Sequence, residues 1–155
     1  MAFVLGSKSL SELNGVHPAL VELVHQVIQE TPQDFIVFDG LRTRAEQTKL
    51  MASGATRTMK SMHLPQADGY SHAIDLVPYV GGRPRWEWGP IWPIASTVHA
   101  VALRMRLKLV WGGVWDKAFS ILDGSPAGLR KAVDAYCVRH PGPDFLDGPH
   151  YQLTK

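Results

Sequence analysis

The chain has 155 residues, 45% of them hydrophobic, which suits one well-formed core, so a single domain over residues 1–155 is expected. Lys and Arg number 16 against 14 Asp and Glu, a net charge of +2 without the clustered basic stripe of a nucleic-acid binder, so none is expected as partner. No apolar run approaches the roughly 18 residues of a membrane span, and the start MAFVLGSKSL lacks the basic and apolar regions of a signal peptide; synthesis in a cytoplasm without stable membrane insertion is expected.

Residues 17–29 carry Leu20, Val21, Val24, Val27 and Ile28 at helical spacing, with Pro18 where a first turn tolerates it, and predict an amphipathic helix. Residues 35–38 predict a buried strand that ends in a turn at Asp39 and Gly40. A helix over residues 44–52 stops at Gly54. Residues 73–79 read as a strand carrying Asp75, bounded by Gly69 before and by Gly81, Gly82 and Pro84 after.

Three tryptophans among Pro and Gly make residues 86–92 a loop, followed by a helix over 93–107 and a strand over 107–111 that ends at Gly112 and Gly113. A helix over 126–138 and a short strand over 151–153 complete the pattern. Helices and strands mix without regular alternation, which favours an α+β domain with a small, mainly antiparallel sheet and flanking helices. Cys137, the single cysteine, excludes an internal disulfide and Cys-rich zinc sites, and is expected on a buried helix face.

Any metal must therefore use His and carboxylate ligands. The segments SMHLPQADGYSHAIDL and DGPHYQL supply His63, Asp75 and His150. Two imidazoles and a carboxylate with an open fourth position are what a hydrolytic zinc centre requires. His72 competes with His63, but lies an odd number of steps from Asp75 and would face away from it if both share one strand.

GLRTRAEQTKLMASGAT, SMH, SHAIDL, WGGVW and DGPHYQL, in that order, resemble the zinc-dependent peptidoglycan peptidases of the D-alanyl-D-alanine carboxypeptidase and phage endolysin type. The opening LGSKSLSELNGVHPALVELV resembles the L-alanyl-D-glutamate endopeptidases among them. The resemblance implies Zn2+ on His63, Asp75 and His150, and Asp147 handling protons three residues before the last ligand. It implies that Arg42 binds a substrate carboxylate or stabilises the oxyanion, and thus acts in both catalysis and substrate binding. Gln47 and Ser61 are candidate orienting or substrate-binding residues, and Trp111 and Trp115 candidate floors of the groove, against the plainer reading of tryptophans as core packing.

Three departures accompany the likeness. The spacing from His63 to Asp75 is longer than the family's, as if residues 65–70 were inserted, and Ser71 stands where the family has Gly. Val114 replaces a common Asp, and residues 117–146 form an expansion. The resemblance implies a bacterial peptidoglycan hydrolase, an endolysin cutting stem-peptide amide bonds, L-alanyl-D-glutamate above all. Such an enzyme would stay in the host cytoplasm until lysis and act as a monomer without a separate wall-binding domain. A D,D-carboxypeptidase or dipeptidase on the same scaffold and a non-catalytic wall-binding domain are the alternatives.

Overall fold

The computed structural model describes residues 2–55, 60–142 and 145–154. A short helix, α1 (Ser7–Glu12), precedes α2 (Pro18–Glu30), whose first turn is capped by His17 Nδ1 accepting from the Ala19 N–H at 3.1 Å. α2 buries Leu20, Leu23, Val24, Val27 and Ile28, as its spacing predicts. β1 (Phe35–Asp39) leads to α3 (Arg44–Ser53), which starts at a reciprocal Thr43–Glu46 capping box and stops at Gly54 with φ 80°.

β2 (Ala73–Val80) turns back into the two-residue β3 (Arg83–Pro84). α4 (Trp88–Met105), β4 (Leu109–Trp111), a 3-10 turn (Phe119–Ile121), α5 (Pro126–Arg139) and β5 (His150–Leu153) follow. The strands form an antiparallel sheet in the order β1-β2-β5-β4, with β3 paired to β2. The fold is thus α+β with a small antiparallel sheet. Among the described residues no helix is long and apolar enough to cross a membrane.

The loop expected over residues 86–92 is a correction. α4 begins at Trp88, because Pro90 falls in the first turn, where an N–H has no intrahelical partner to lose. Pro93 then costs the helix one hydrogen bond, and Trp88 and Trp92 stack at 4.7 Å on one face. The strand expected from 107 starts only at Leu109, since Arg106 caps α4 in the left-handed region with φ 56° and Leu107 N–H returns to Ala102 O at 2.9 Å. Cys137 is exposed, contrary to the buried position expected of it.

Alternation along the strands divides the sheet into two faces. Phe35, Val37, Ile74, Leu76, Leu109, Trp111, Tyr151 and Leu153 join one core with Leu23 and Val27 of α2 and Ile94, Val98 and Val101 of α4. Asp75, between Ile74 and Leu76, must therefore point to the other face. In β1 the same alternation would send Asp39 into the core with Phe35 and Val37. A bulge between Val37 and Asp39 prevents this, leaving Phe38 as the extra residue and pairing Asp39 with Asp75. β5 pairs His150 with Asp75 from the other side. Asp39, Asp75 and His150 thus form one row across three strands.

The turn before β5 is equally constrained. His150 N–H donates to Asp147 O at 3.0 Å, Asp147 N–H to Gly112 O at 2.8 Å, and Gly112 N–H to His150 O at 2.8 Å. A Cβ on Gly112 would lie 2.1 Å from the Asp147 carbonyl oxygen, so the close approach requires glycine there. Gly112→Ala is expected to lower stability by about 1–3 kcal/mol, read as a fall in melting temperature. Gly89→Ala, where an added Cβ meets nothing within 4 Å, should leave the melting temperature unchanged or raise it.

Candidate metal centre

His63, Asp75 and His150 each turn a ligand atom toward one point, all three atoms lying within 4.8 Å of one another. The Asp75 Oδ1 atom is 3.2 Å from His63 Nε2 and 3.1 Å from His150 Nδ1. All three residues line a cleft of about 730 Å³, with Arg42, Trp115 and Asp147 among its other walls.

The far nitrogen of each imidazole fixes its tautomer. His63 Nδ1–H donates to the Gly40 carbonyl at 2.8 Å, and His150 Nε2–H donates to Gln152 Oε1 at 2.8 Å. The other nitrogen of each neutral ring then presents a lone pair to the Asp75 carboxylate. Two lone pairs facing a carboxylate repel unless a proton or a cation stands between them. This donor set fits a divalent ion of borderline softness, for which imidazole nitrogen and carboxylate oxygen are ordinary ligands.

Gln152 and Gly40 escaped the sequence reading. Gln152 could have been found from spacing, since two residues along β5 return to the face of His150. For Gly40 the signal was absent: an added Cβ would lie 2.1 Å from the Glu12 carbonyl oxygen, a contact with distant α1. The same Gly40 carbonyl also accepts from Ser71 Oγ–H at 3.2 Å. Ser71 is fully buried at the position where glycine was expected and ties the start of β2 to the His63 loop.

Residues 65–70 close on themselves, with Gln66 N–H donating to Tyr70 O, Gly69 N–H to Gln66 O, and Tyr70 N–H to Asp68 Oδ1. The segment is thus closed before β2 begins. His72 faces elsewhere, its Nε2 2.8 Å from Asp68 Oδ2, and lies outside the converging group.

Arg42 is buried and held from two sides. Its Nε and Nη2 donate to Asp39 Oδ2, the first at 3.0 Å, and its Nη1 donates to Gln47 Oε1 at 2.7 Å. Gln47 is wholly buried, and so fixes Arg42 without reaching substrate, which corrects its expected contact role. Ser61 lines the cleft, and its Oγ accepts from the His63 N–H at 3.1 Å. Trp115 lines the cleft with its ring 5.2 Å from that of His150. Trp111 does not: alternation on β4 turns it into the core, fully buried, with Nε1–H donating to Gly148 O at 2.7 Å. The expectation that it floors the groove is corrected accordingly. Val114 is also a core residue.

The two carboxyl groups differ in their electrostatics. Burial alone would raise Asp75, but when the two rings are protonated the charge of His63 and hydrogen bonds from His150 and His63 outweigh it and hold the carboxylate well below its usual range. Asp147 is pushed up to about 6, by burial first and then by the negative charge of Asp75, against the opposing His150, His63 and Arg42. Since the folded state raises this group, its contribution to stability is full below pH 3.8 and is lost as pH rises through about 6. In metal-free protein at pH 7.5, Asp147→Asn is expected to be more stable than wild type by roughly 2–3 kcal/mol. Denaturant titrations should show this gain vanishing toward pH 3.8.

A profile of the phage L-alanyl-D-glutamate peptidase family matches residues 1–135, which include His63 and Asp75 and end before Asp147 and His150. The L-alanyl-D-glutamate peptidase of Escherichia phage T5 is 27% identical over 120 residues, spanning 75% of this chain and 84% of the relative. The crystal structure of Serratia marcescens L-Ala D-Glu endopeptidase ChiX superposes with a TM-score of 0.68 at 28% identity, over 96% of this chain and 87% of that one. With most of its length matched by the family profile, the chain belongs to the phage L-alanyl-D-glutamate peptidase family.

Proposed function

We propose that this protein is a zinc-dependent peptidoglycan endopeptidase of the endolysin type that hydrolyses the L-alanyl-D-glutamate bond of stem peptides. The observation that carries the chemistry is the convergence of His63 Nε2, His150 Nδ1 and Asp75 Oδ1, with both imidazole tautomers fixed from behind. The choice of bond follows the family and the relatives it resembles. A zinc ion held by His63, Asp75 and His150 would polarise the scissile carbonyl and lower the pKa of water to about 7.

Asp147 takes the proton from the attacking water and returns it to the nitrogen of D-glutamate, because an amine anion is too poor a leaving group. Its raised pKa suits both halves of that exchange. Arg42, immobilised by Asp39 and Gln47, offers a fixed positive charge to the oxygen on which negative charge develops. Trp115, its Nε1–H donating to Phe145 O at 2.7 Å, walls the cleft beside His150. The enzyme acts as a monomer, held in the host cytoplasm until lysis exposes the wall to it.

The test is digestion of purified peptidoglycan by zinc-loaded protein, with mass spectrometry of the released termini. New amino-terminal D-glutamate paired with carboxyl-terminal L-alanine is expected; release of terminal D-alanine alone would establish the carboxypeptidase instead. Asp147→Asn should lower kcat by about 10²- to 10⁴-fold, while wall binding without turnover in either protein would point to a non-catalytic domain. As Asp147 must be ionised to accept a proton, wild-type kcat/KM is expected to fall on the acid side of its pH profile as Asp147 becomes protonated.

The ligand set has its own measurement. Zinc content after dialysis should be lost in His63→Ala and retained in His72→Ala, and the reverse result would reassign the ligand.

A further inference from the structure

The cleft mouth carries two large aromatic side chains that the hydrolytic chemistry leaves unused. Phe38 is 42% exposed and Trp86 is 55% exposed, yet the two rings meet edge to face at 5.0 Å and 84°, and both line the cleft. Their exposure is not the result of loose chain. Phe38 is the extra residue of the β1 bulge, the device that also turns its neighbour Asp39 toward the cleft. Lys8 holds Phe38 further, with Nζ 5.2 Å from the ring centroid and 3.3 Å from the Phe38 carbonyl.

Trp86 is held by its backbone: the preceding Arg85 N–H donates to Pro78 O of β2 at 2.8 Å. Two adjacent aromatic rings held in water at the rim of a binding cleft forgo burial that the core could have provided, which marks a contact surface. Trp115 is held differently, leaning on His150 with its indole N–H tied to Phe145 O, so it lies beside the proposed site of cleavage.

We propose that the Phe38–Trp86 corner is a sugar subsite, which receives the N-acetylmuramyl ring from which the stem peptide hangs. The inference rests on the hydrolytic reading above, because it takes the L-alanyl-D-glutamate bond as the one cleaved. That bond is separated from the lactyl ether of the sugar by one amino acid. An extended residue spans at most about 3.6 Å, so a peptide seated for cleavage brings its sugar to the rim of the same cleft. The weakly polar C–H faces of a pyranose match an indole face, and the edge-to-face pair offers one flat surface and one perpendicular stop. A free peptide would leave the corner empty.

The experiment compares Trp86→Ala and Phe38→Ala with wild type on two substrates that share a peptide: the disaccharide-linked muropeptide, and the stem peptide N-acetylated on L-alanine. On the muropeptide each variant should lose roughly tenfold in kcat/KM, the scale of one aromatic stacking contact, with the change in KM and not kcat. On the acetylated peptide both should match wild type, and Trp86→Phe should recover most of the loss. Equal losses on both substrates, or none on either, would overturn the subsite. Binding is read separately by titrating the peptide-free disaccharide against the Trp86 indole N–H resonance in zinc-loaded protein. A shift at Trp86 that is absent at Trp115 supports the subsite; no shift at Trp86 refutes it. Should wild type cleave neither substrate, the hydrolytic reading fails by itself and the titration still decides the subsite.

Discussion

The register across β2 is the constraint on which the rest of the molecule depends. Pairing Asp75 with Asp39 on one side and His150 on the other sets three functional side chains in a row, on the face opposite Ile74, Leu76 and Tyr151. A slip of one residue would exchange those sets, placing a carboxylate against α2 and α4 and apolar side chains in the cleft. The core therefore enforces the site: the same burial that holds Ile74 and Leu76 under the helices holds Asp75 out of them. His63 comes from outside the sheet, and needs the Gly40 carbonyl and the Ser71 hydroxyl to bring its loop onto this row.

Much of this was legible in the sequence because it is written in periodicity. α2, α5 and the strands at Phe35, Ala73 and Leu109 follow apolar spacings, and those spacings report burial directly, whereas α3, which buries only Gln47, was legible from its stop at Gly54. α1 and β3 are too short to show a period, and the prolines at the start of α4 hid a helix that tolerates one of them at no cost. The residue types of the candidate metal site and their order were readable, because motif and spacing are local properties; His72 lies just outside β2 and the converging group. The supports were not readable. Gly40, Gly112 and Ser71 act through contacts with distant segments, and nothing in their own neighbourhoods distinguishes them from turn or surface residues, whereas Gln47, a candidate orienting residue from the sequence, holds Arg42 only five positions away. Asp39 was concealed by the bulge, since strict alternation assigns it to the wrong face.

The two segments that the resemblance sets apart act in different ways. Residues 65–70 fold back through their own hydrogen bonds and deliver the chain to Ser71, with His63 Nε2 3.2 Å from Asp75 Oδ1. The 117–146 expansion instead helps to build the cleft. α5 packs on α4, and its end is fastened to the loop after β4 by Arg139 and His140, both bonded to the Asp116 carboxylate at 2.8–3.0 Å. Phe145 and Leu146 then complete the wall beside Trp115. Val114, next to that loop, serves the core, which explains an apolar residue where the resemblance led one to expect a carboxylate.

The division of labour between the two carboxyl groups follows from where the chain places each of them. Asp75 lies between two imidazoles, and when these are protonated their hydrogen bonds and charge overcome the effect of burial and favour its anion. Asp147, in the turn pinned by Gly112, has burial and the Asp75 charge against its own ionisation, and Arg42, His63 and His150 offset only part of that. One group is thereby suited to remain charged and the other to exchange a proton near neutral pH, which are the separate needs of a ligand and of a general base. The roles cannot be interchanged: moving Asp147 closer to the imidazoles would remove its readiness to protonate, and moving Asp75 away would remove the charge that raises Asp147. In the proposed hydrolysis, the readiness of Asp147 to hold a proton therefore owes most to its burial and next to the Asp75 anion, and so in part to the strand pairing that sets Asp75 beside His150.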